Sequence, residues 1–113
     1  KEISVNIDII DHLIVQNSKQ PEDFQLMGAY PNPFNPATQI KYNLPEDSFV
    51  NIKIYDVMGR NIKTLLNDQK TGGYHTIRWD ATNNFGEAVP AGIYFYTIDA
   101  GSFTNTKKMI FLK

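Results

Sequence analysis

The chain has 113 residues, which indicates one domain with or without a tail, and a formal net charge of -1, which gives no reason to expect a nucleic-acid partner. It contains no cysteine, which excludes a disulfide framework, a thiol nucleophile and a thiolate metal site. Its apolar runs are too short to span a bilayer, so no transmembrane segment is predicted. Because the first residue is not Met and no signal-like segment follows, we expect a piece of a longer protein.

The first 20 residues differ in pattern from the rest. Apolar side chains alternate with polar ones from Ile3 to Ile9, which predicts a strand, and a polar stretch with Pro21 follows. We interpret residues 1–20 as the end of a preceding domain or a linker, because the polar stretch is long for a hairpin connection. The alternative is that the strand pairs with the edge of the next domain, which we place at residues 21–113.

From Phe24 onward the pattern is all-β. Turn residues around Gly59 and between Ala81 and Gly92 separate segments with a period of two. These segments predict an antiparallel β-sandwich with about seven strands, at residues 24–29, 39–44, 50–54, 62–66, 74–80, 93–100 and 103–112. The inward positions predict a core with five members in or beside it, namely Ile52, Ile54, Ile77, Trp79 and Phe95.

Three prolines dominate the segment Tyr30–Pro36, which opens the predicted sandwich. Proline fixes φ and removes a backbone donor, and it pushes the preceding residue to extended geometry. We therefore expect a rigid cap that is neither helix nor ladder. Tyr30 and Phe34 are predicted to pack against the domain as plugs.

The chain lacks the usual catalytic constellations. Its two histidines, His12 and His75, cannot supply a three-histidine zinc site, and His75 is interpreted as a surface residue of a strand. No serine lies in a nucleophile elbow and no glycine-rich loop cradles phosphate. We expect no enzyme, no catalytic metal and no cofactor.

Two groups of residues have alternative interpretations. Asp80, Asn83, Asn84 and Glu87 offer oxygens to a structural calcium ion, but they are also residues that tight turns use, and we favour the turn. Four strand aromatics are consistent with a sugar-binding platform or with core packing, and we favour the core: Tyr74, Trp79, Tyr94 and Tyr96.

Blocks along the chain resemble, in order, the type A C-terminal sorting domain of the type IX secretion system of Bacteroidetes-type Gram-negative bacteria. The similar blocks are Tyr30–Thr38, Val50–Arg60, Gly73-Tyr74, Trp79-Asp80, Pro90–Tyr96 and Lys107–Lys113. The segment Asn83–Val89 resembles the related immunoglobulin-like domain of flagellar hook-capping proteins. The resemblance implies an immunoglobulin-like or fibronectin-like sandwich.

The resemblance also implies a function. Such domains carry an attached cargo, often a hydrolase or adhesin, from the periplasm of a Gram-negative bacterium through the outer-membrane translocon to the cell surface or medium. Their expected partners are the cargo domain, the translocon and a sortase-like protease that cleaves the domain off. The domain itself is not a catalyst. The alternative function is an accessory β-sandwich, carbohydrate-binding or a structural spacer, of a secreted hydrolase.

Two segments are the candidate sites. The expected translocon contacts are Lys107, Lys108, Met109, Ile110, Phe111, Leu112 and Lys113. The family's opening motif is matched by Tyr30, Pro31, Asn32, Pro33, Phe34, Asn35 and Pro36. Lysines beside an apolar run are typical of an edge strand, so we expect the terminal strand to add to a partner's sheet through free backbone groups while its lysines steer the encounter.

Overall fold

The computed structural model describes residues 20–113, which form two facing antiparallel sheets. The strand order is β1-β2-β5 in one sheet and β4-β3-β6-β7 in the other. The strands are β1 (Gln25–Leu26), β2 (Thr38–Leu44), β3 (Ser48–Tyr55), β4 (Asn61–Lys70), β5 (Gly73–Trp79), β6 (Gly92–Ala100) and β7 (Phe103–Phe111). The predicted sandwich of seven strands is confirmed. The predicted strand from Ile3 to Ile9 and His12 lie outside the described residues.

The core follows from the alternation of side chains along the strands. Every second residue of β2, β3 and β6 points between the sheets, and Ile52, Ile54 and Trp79 are fully buried as predicted. Ile77 is half-buried and packs against this core. Phe95 was expected in or beside the core, but it faces the outer side of its sheet, because its neighbours Tyr94 and Tyr96 take the inward positions of β6.

Three of the four strand aromatics complete the core and find partners for their polar atoms. Tyr96 donates its hydroxyl to the Met27 carbonyl at 2.8 Å, and Tyr94 donates to the Pro90 carbonyl at 2.6 Å. The Trp79 indole donates to the carbonyl of Thr82 at 2.9 Å. Desolvation raises the pKa of both Tyr94 and Tyr96. The core interpretation is confirmed for these three, whereas Tyr74 is exposed.

His75 departs from its predicted position on the surface. It belongs to the inward-facing set of β5, where its ring stacks on Tyr42 with centroids 5.1 Å apart. Its Nε2 atom lies 2.7 Å from the carbonyl oxygen of Thr71. His75 is half-buried and lies near the start of β5, beside the turn from β4 to β5.

The β4–β5 connection is shorter than the gap between the predicted strands at 62–66 and 74–80, because β4 continues to Lys70 and leaves Thr71 and Gly72 as the turn. A Cβ atom at Gly72 would lie 3.0 Å from the Glu46 backbone, so the close approach favours glycine. The Gly72 N–H donates to an Asp47 carboxylate oxygen at 2.8 Å. These contacts fix the point at which the chain crosses from one sheet to the other.

Candidate recognition surface at the terminal strand

The terminal strand β7 lies at one edge of the four-stranded sheet and pairs with β6 over its full length of nine residues. Because side chains alternate along a strand, β7 divides into an inner and an outer set. Lys107, Met109 and Phe111 point towards the core, where Met109 and Phe111 are buried. Lys108 and Ile110 point to the outer face.

The seven predicted contact residues therefore do not form one surface. Lys107 is half-buried on the inner side, so the two adjacent lysines lie on opposite faces of the sheet. Leu112 and Lys113 follow the end of β7 and are exposed, with Leu112 retaining 52% of its surface. The Lys113 ammonium lies 6.0 Å from the Phe111 ring centroid, at the outer limit of a cation–π contact.

The expected free edge of β7 is closed near its end by the opening motif. The Phe34 N–H donates to the Ile110 carbonyl at 2.9 Å, and the Leu112 N–H donates to the Phe34 carbonyl at 3.0 Å. The Asn32 carboxamide accepts the Ile110 N–H at 3.0 Å and donates to the Lys108 carbonyl at 3.4 Å. Strand addition over this part of β7 would require the opening motif to leave, so the prediction of a free edge is wrong here.

Phe34 anchors the opening motif in the core. Its ring stacks on Phe111 with centroids 5.1 Å apart and lies 5.7 Å from the Trp79 ring at a tilt of 59°. Trp79 in turn meets Tyr94 edge-on at 5.2 Å. Phe34 is the predicted plug, whereas Tyr30, predicted to be a second plug, is 81% exposed.

The other end of the opening motif is fixed to β2. Tyr30 and Gln39 exchange two backbone hydrogen bonds of 2.9 and 3.0 Å. The Thr38 hydroxyl donates to the Pro31 carbonyl at 2.7 Å, and the three X–Pro bonds of the motif are cis. The motif thus bridges the two sheets, since β2 belongs to one and β7 to the other.

The outer face beside Lys108 and Ile110 is apolar. Ile93 of β6 is opposite Ile110, Phe95 is opposite Lys108, and Tyr55 of β3 is opposite Phe95. Cross-strand neighbours on one face lie about 5 Å apart. These residues form an outer-face strip (Tyr55, Ile93, Phe95, Ile110) that continues towards the exposed Leu112.

Neither the contacts of Asn32 nor the outer-face strip was predicted from the sequence. Asn32 and Ile110 are 78 positions apart, and nothing local to either residue indicates the pairing. The strip carried a signal, because Ile93 and Phe95 alternate with the buried Tyr94 and Tyr96. Choosing between those two faces requires the position of the opposite sheet.

The oxygen-rich segment from Asp80 to Glu87 uses its side chains in turns, as predicted. The Asn83 carboxamide oxygen accepts the N–H groups of Phe85 at 2.9 Å and Glu87 at 3.0 Å. A hydrogen bond from the Thr82 hydroxyl lowers the pKa of Asp80. Over residues 20–113, no three His, Cys, Asp or Glu side chains are grouped as a metal site would require.

The described part of the chain contains no helix long and apolar enough to cross a membrane.

Among solved structures, the chain is similar to PorZ, an essential bacterial surface component of the type IX secretion system of Porphyromonas gingivalis. The sequences are 17% identical, with a TM-score of 0.53, and the match covers 85% of this chain and 12% of PorZ. This likeness supports the fold. The comparison with curated proteins gives no match.

The family comparison is specific and covers most of the chain. The family model described as the secretion system C-terminal sorting domain matches residues 28–112. This range includes the opening motif, the aromatic core and the whole of β7. The family is not known as catalytic. The chain therefore belongs to the secretion system C-terminal sorting domains, which are signals that direct an attached protein through the type IX system of the Gram-negative envelope to the cell surface or the medium.

Proposed function

We propose that the secretion machinery reads this domain at a terminal address consisting of Lys108, Ile110, Leu112 and Lys113. The single observation that carries the proposal is the alternation along β7, which buries Met109 and Phe111 and turns Lys108 and Ile110 outward. In the folded domain a partner meets the four residues of the address, whereas Met109 and Phe111 hold the strand in place.

Recognition by side chains fits the terminal strand better than recognition by its backbone. The outer edge from Lys108 to Leu112 already pairs with Asn32 and Phe34, so a partner strand finds few free groups there. Lysine ammonium groups speed the encounter with an acidic partner, and apolar side chains supply contact area. Ile110 and Leu112 extend the outer-face strip, which gives the address an apolar neighbour.

The other proposed partners are the attached cargo and a sortase-like protease that separates the cargo from the domain after transport. We also propose that the domain performs no catalysis of its own, so the isolated chain should turn over no substrate. The alternative function, a sugar-binding accessory module, is not favoured. Three of its four candidate aromatics, Trp79, Tyr94 and Tyr96, are buried and so form no exposed platform.

The test fuses residues 1–113 behind a reporter with an ordinary export signal, in a host that has the type IX machinery. The double variant Leu112→Ser/Lys113→Ser removes the exposed end of the address and keeps the core residue Phe111. We expect the reporter to remain in the periplasm, because apolar contact and a cation are both lost. The readout is the fraction of reporter at the cell surface and in the medium.

A matched control is Lys41→Ser/Phe49→Ser, which removes one exposed lysine and one exposed apolar side chain elsewhere. Phe49 is 54% exposed, close to the 52% of Leu112. Both double variants should melt near the parent, because exposed substitutions usually change stability by less than about 0.5 kcal/mol. Normal export of a folded Leu112→Ser/Lys113→Ser variant would show that the address lies elsewhere, with the opening motif the next candidate.

A further inference from the structure

We infer that Asn32 is a positioning residue of the sorting signal, because its carboxamide holds the terminal strand in the conformation that the machinery reads. The inference rests on the proposed address at β7 and adds a residue that is 76 to 78 positions away from its partners in sequence. The signal then has two parts. One is the displayed address at the end of β7, and the other is a clasp, by which we mean Asn32 and Phe34, that bonds to the backbone of β7.

The geometry of Asn32 favours this role. A carboxamide has both a donor and an acceptor, and here the oxygen accepts the Ile110 N–H at 3.0 Å while the nitrogen lies 3.4 Å from the Lys108 carbonyl. Both partners are backbone groups of residues in the address. The side chain thus reproduces, for two residues, the pairing that a neighbouring strand would supply.

Phe34 continues the clasp one step further along β7. Its backbone bonds to the Ile110 carbonyl and the Leu112 N–H are 2.9 and 3.0 Å long, and they form a parallel bridge with Phe111. The last amide bonded to the clasp therefore belongs to Leu112. Without Asn32, the Ile110 N–H would lose its partner and the end of the chain would be held by Phe34 alone.

The clasp also restricts which partner can bind. A regular edge strand is a template for pairing with any other exposed strand. Asn32 and Phe34 occupy the edge groups around the address, so the terminal residues are displayed as side chains on a fixed backbone. Loss of the carboxamide should lower export even where the four residues of the address are unchanged.

The experiment compares four Asn32 forms of the reporter fusion and of the isolated 113-residue chain: the parent, Asn32→Ala, Asn32→Leu and Asn32→Asp. Leucine keeps the approximate volume but offers no polar atom, whereas aspartate keeps the acceptor for the Ile110 N–H. Amide hydrogen exchange, resolved by residue, and export of the reporter are measured for each. We expect Ile110 exchange to rise about fivefold to tenfold in Asn32→Ala and Asn32→Leu.

Two further comparisons isolate the clasp from general destabilisation. Amides of the central strand β3 should exchange as in the parent, and Asn32→Asp should restore most of the protection of Ile110 and most of the export. The control Asn67→Ala removes the acceptor of a 3.0 Å hydrogen bond from Asn51 of β3. Asn67 lies on β4, three strands or roughly 14 Å from β7, so its loss should leave Ile110 exchange and export unchanged.

The inference is overturned if Ile110 exchange stays at the parent rate in Asn32→Ala, or if it rises while export stays normal. It is also overturned if Asn32→Asp behaves like Asn32→Leu. Failure of the terminal address is a separate result, because it appears as normal export of Leu112→Ser/Lys113→Ser, which leaves Asn32 in place. In that case, amide hydrogen exchange at Ile110 still reports whether the hydrogen bond from its N–H to Asn32 forms.

Discussion

The two edge strands of the four-stranded sheet, β7 and β4, are both covered by an asparagine from a loop. At β7, Asn32 bonds to the backbone of Ile110 and Lys108. At β4, the Asn84 N–H donates to the Ile62 carbonyl at 3.1 Å, and the Asn84 carboxamide oxygen accepts the Thr64 N–H at 2.9 Å. At β7 the side chain of Asn32 alone imitates a missing strand over about two residues, whereas at β4 the backbone and the side chain of Asn84 do so together.

The two covers, the Asn32 loop at β7 and the Asn84 loop at β4, differ in how they are anchored to the domain. Phe34, two residues after Asn32, is buried between Trp79 and Phe111, whereas Phe85, next to Asn84, is 86% exposed. The β3–β4 pairing also contains two register shifts, but the β6–β7 pairing runs through nine residues without one. A bulged edge already disfavours pairing with another chain, whereas a regular edge needs a cover anchored in the core.

The largest expected effect comes from removing the core anchor of one cover. Phe34→Ala should lower the free energy of unfolding by about 3–5 kcal/mol, because it leaves a cavity between two aromatic rings. Phe85→Ala should change it by less than about 0.5 kcal/mol, since the ring lies in water. Urea denaturation of both variants measures the difference. Equal losses of unfolding free energy in Phe34→Ala and Phe85→Ala would mean that the two covers are anchored alike.

A smaller loss of stability is expected when the Asn84 side chain, which covers the edge of β4, is removed. Asn84→Ala removes the acceptor of the Thr64 N–H and should destabilise the domain by about 1 kcal/mol, the usual net value of one hydrogen bond. Hydrogen exchange should speed up at Thr64 and remain unchanged at Ile110. Faster exchange at Ile110 in this variant would show that the two edges are coupled, contrary to the separate anchoring described here.

The smallest effect concerns the turn that leads into β4. Asp56 accepts the N–H groups of Arg60 and Met58 and pairs with the Arg60 guanidinium at 2.8 Å, and the backbone bond from Arg60 is the main cause of its lowered pKa. A lowered folded-state pKa stabilises the fold above the ordinary value of 3.8, and this contribution is lost as pH falls through the folded-state value.

Asp56→Asn should therefore melt slightly below the parent at pH 7, and the gap should close as the solution is acidified below pH 3.8. Thermal melting at a series of pH values checks this, and a gap that widens on acidification would contradict the assignment. Because the Asp56 side chain bonds to Met58 and Arg60 within its own turn, the exchange rate of the Ile110 amide in β7 should be the same in Asp56→Asn and the parent at pH 7.

Much of the fold was predictable because it depends on local patterns. Alternation located all seven strands, and the glycine at position 59, with φ of 82°, makes the predicted turn. The inward faces of β3 and β5 were also correct for Ile52, Ile54 and Trp79. The inward position predicted for Phe95 was wrong, because β6 has large apolar residues on both sides and its pattern fits either orientation equally well.

The candidate site was predictable in its segments but not in its assembly. The terminal residues and the opening motif were both singled out, yet their contact joins positions 76 to 78 apart and depends on where β7 ends. Tyr30 was expected to be buried because it is aromatic, but its backbone pairing with Gln39 places the ring outside. Tertiary pairing, rather than residue type, decides each of these cases.

The alternating burial of β7 also determines how this 113-residue chain should respond when an exopeptidase trims it from Lys113. Removal of Lys113 and Leu112 takes away two exposed side chains and the Leu112 N–H bond to Phe34, but no buried side chain, and should leave a folded domain without the exposed end of its address. Removal of the next residue, Phe111, takes the ring that stacks on Phe34 and should loosen the fold itself. Trimming by two residues would thus yield folded proteins that are not exported. Trimming by three would yield loosened proteins that proteases degrade.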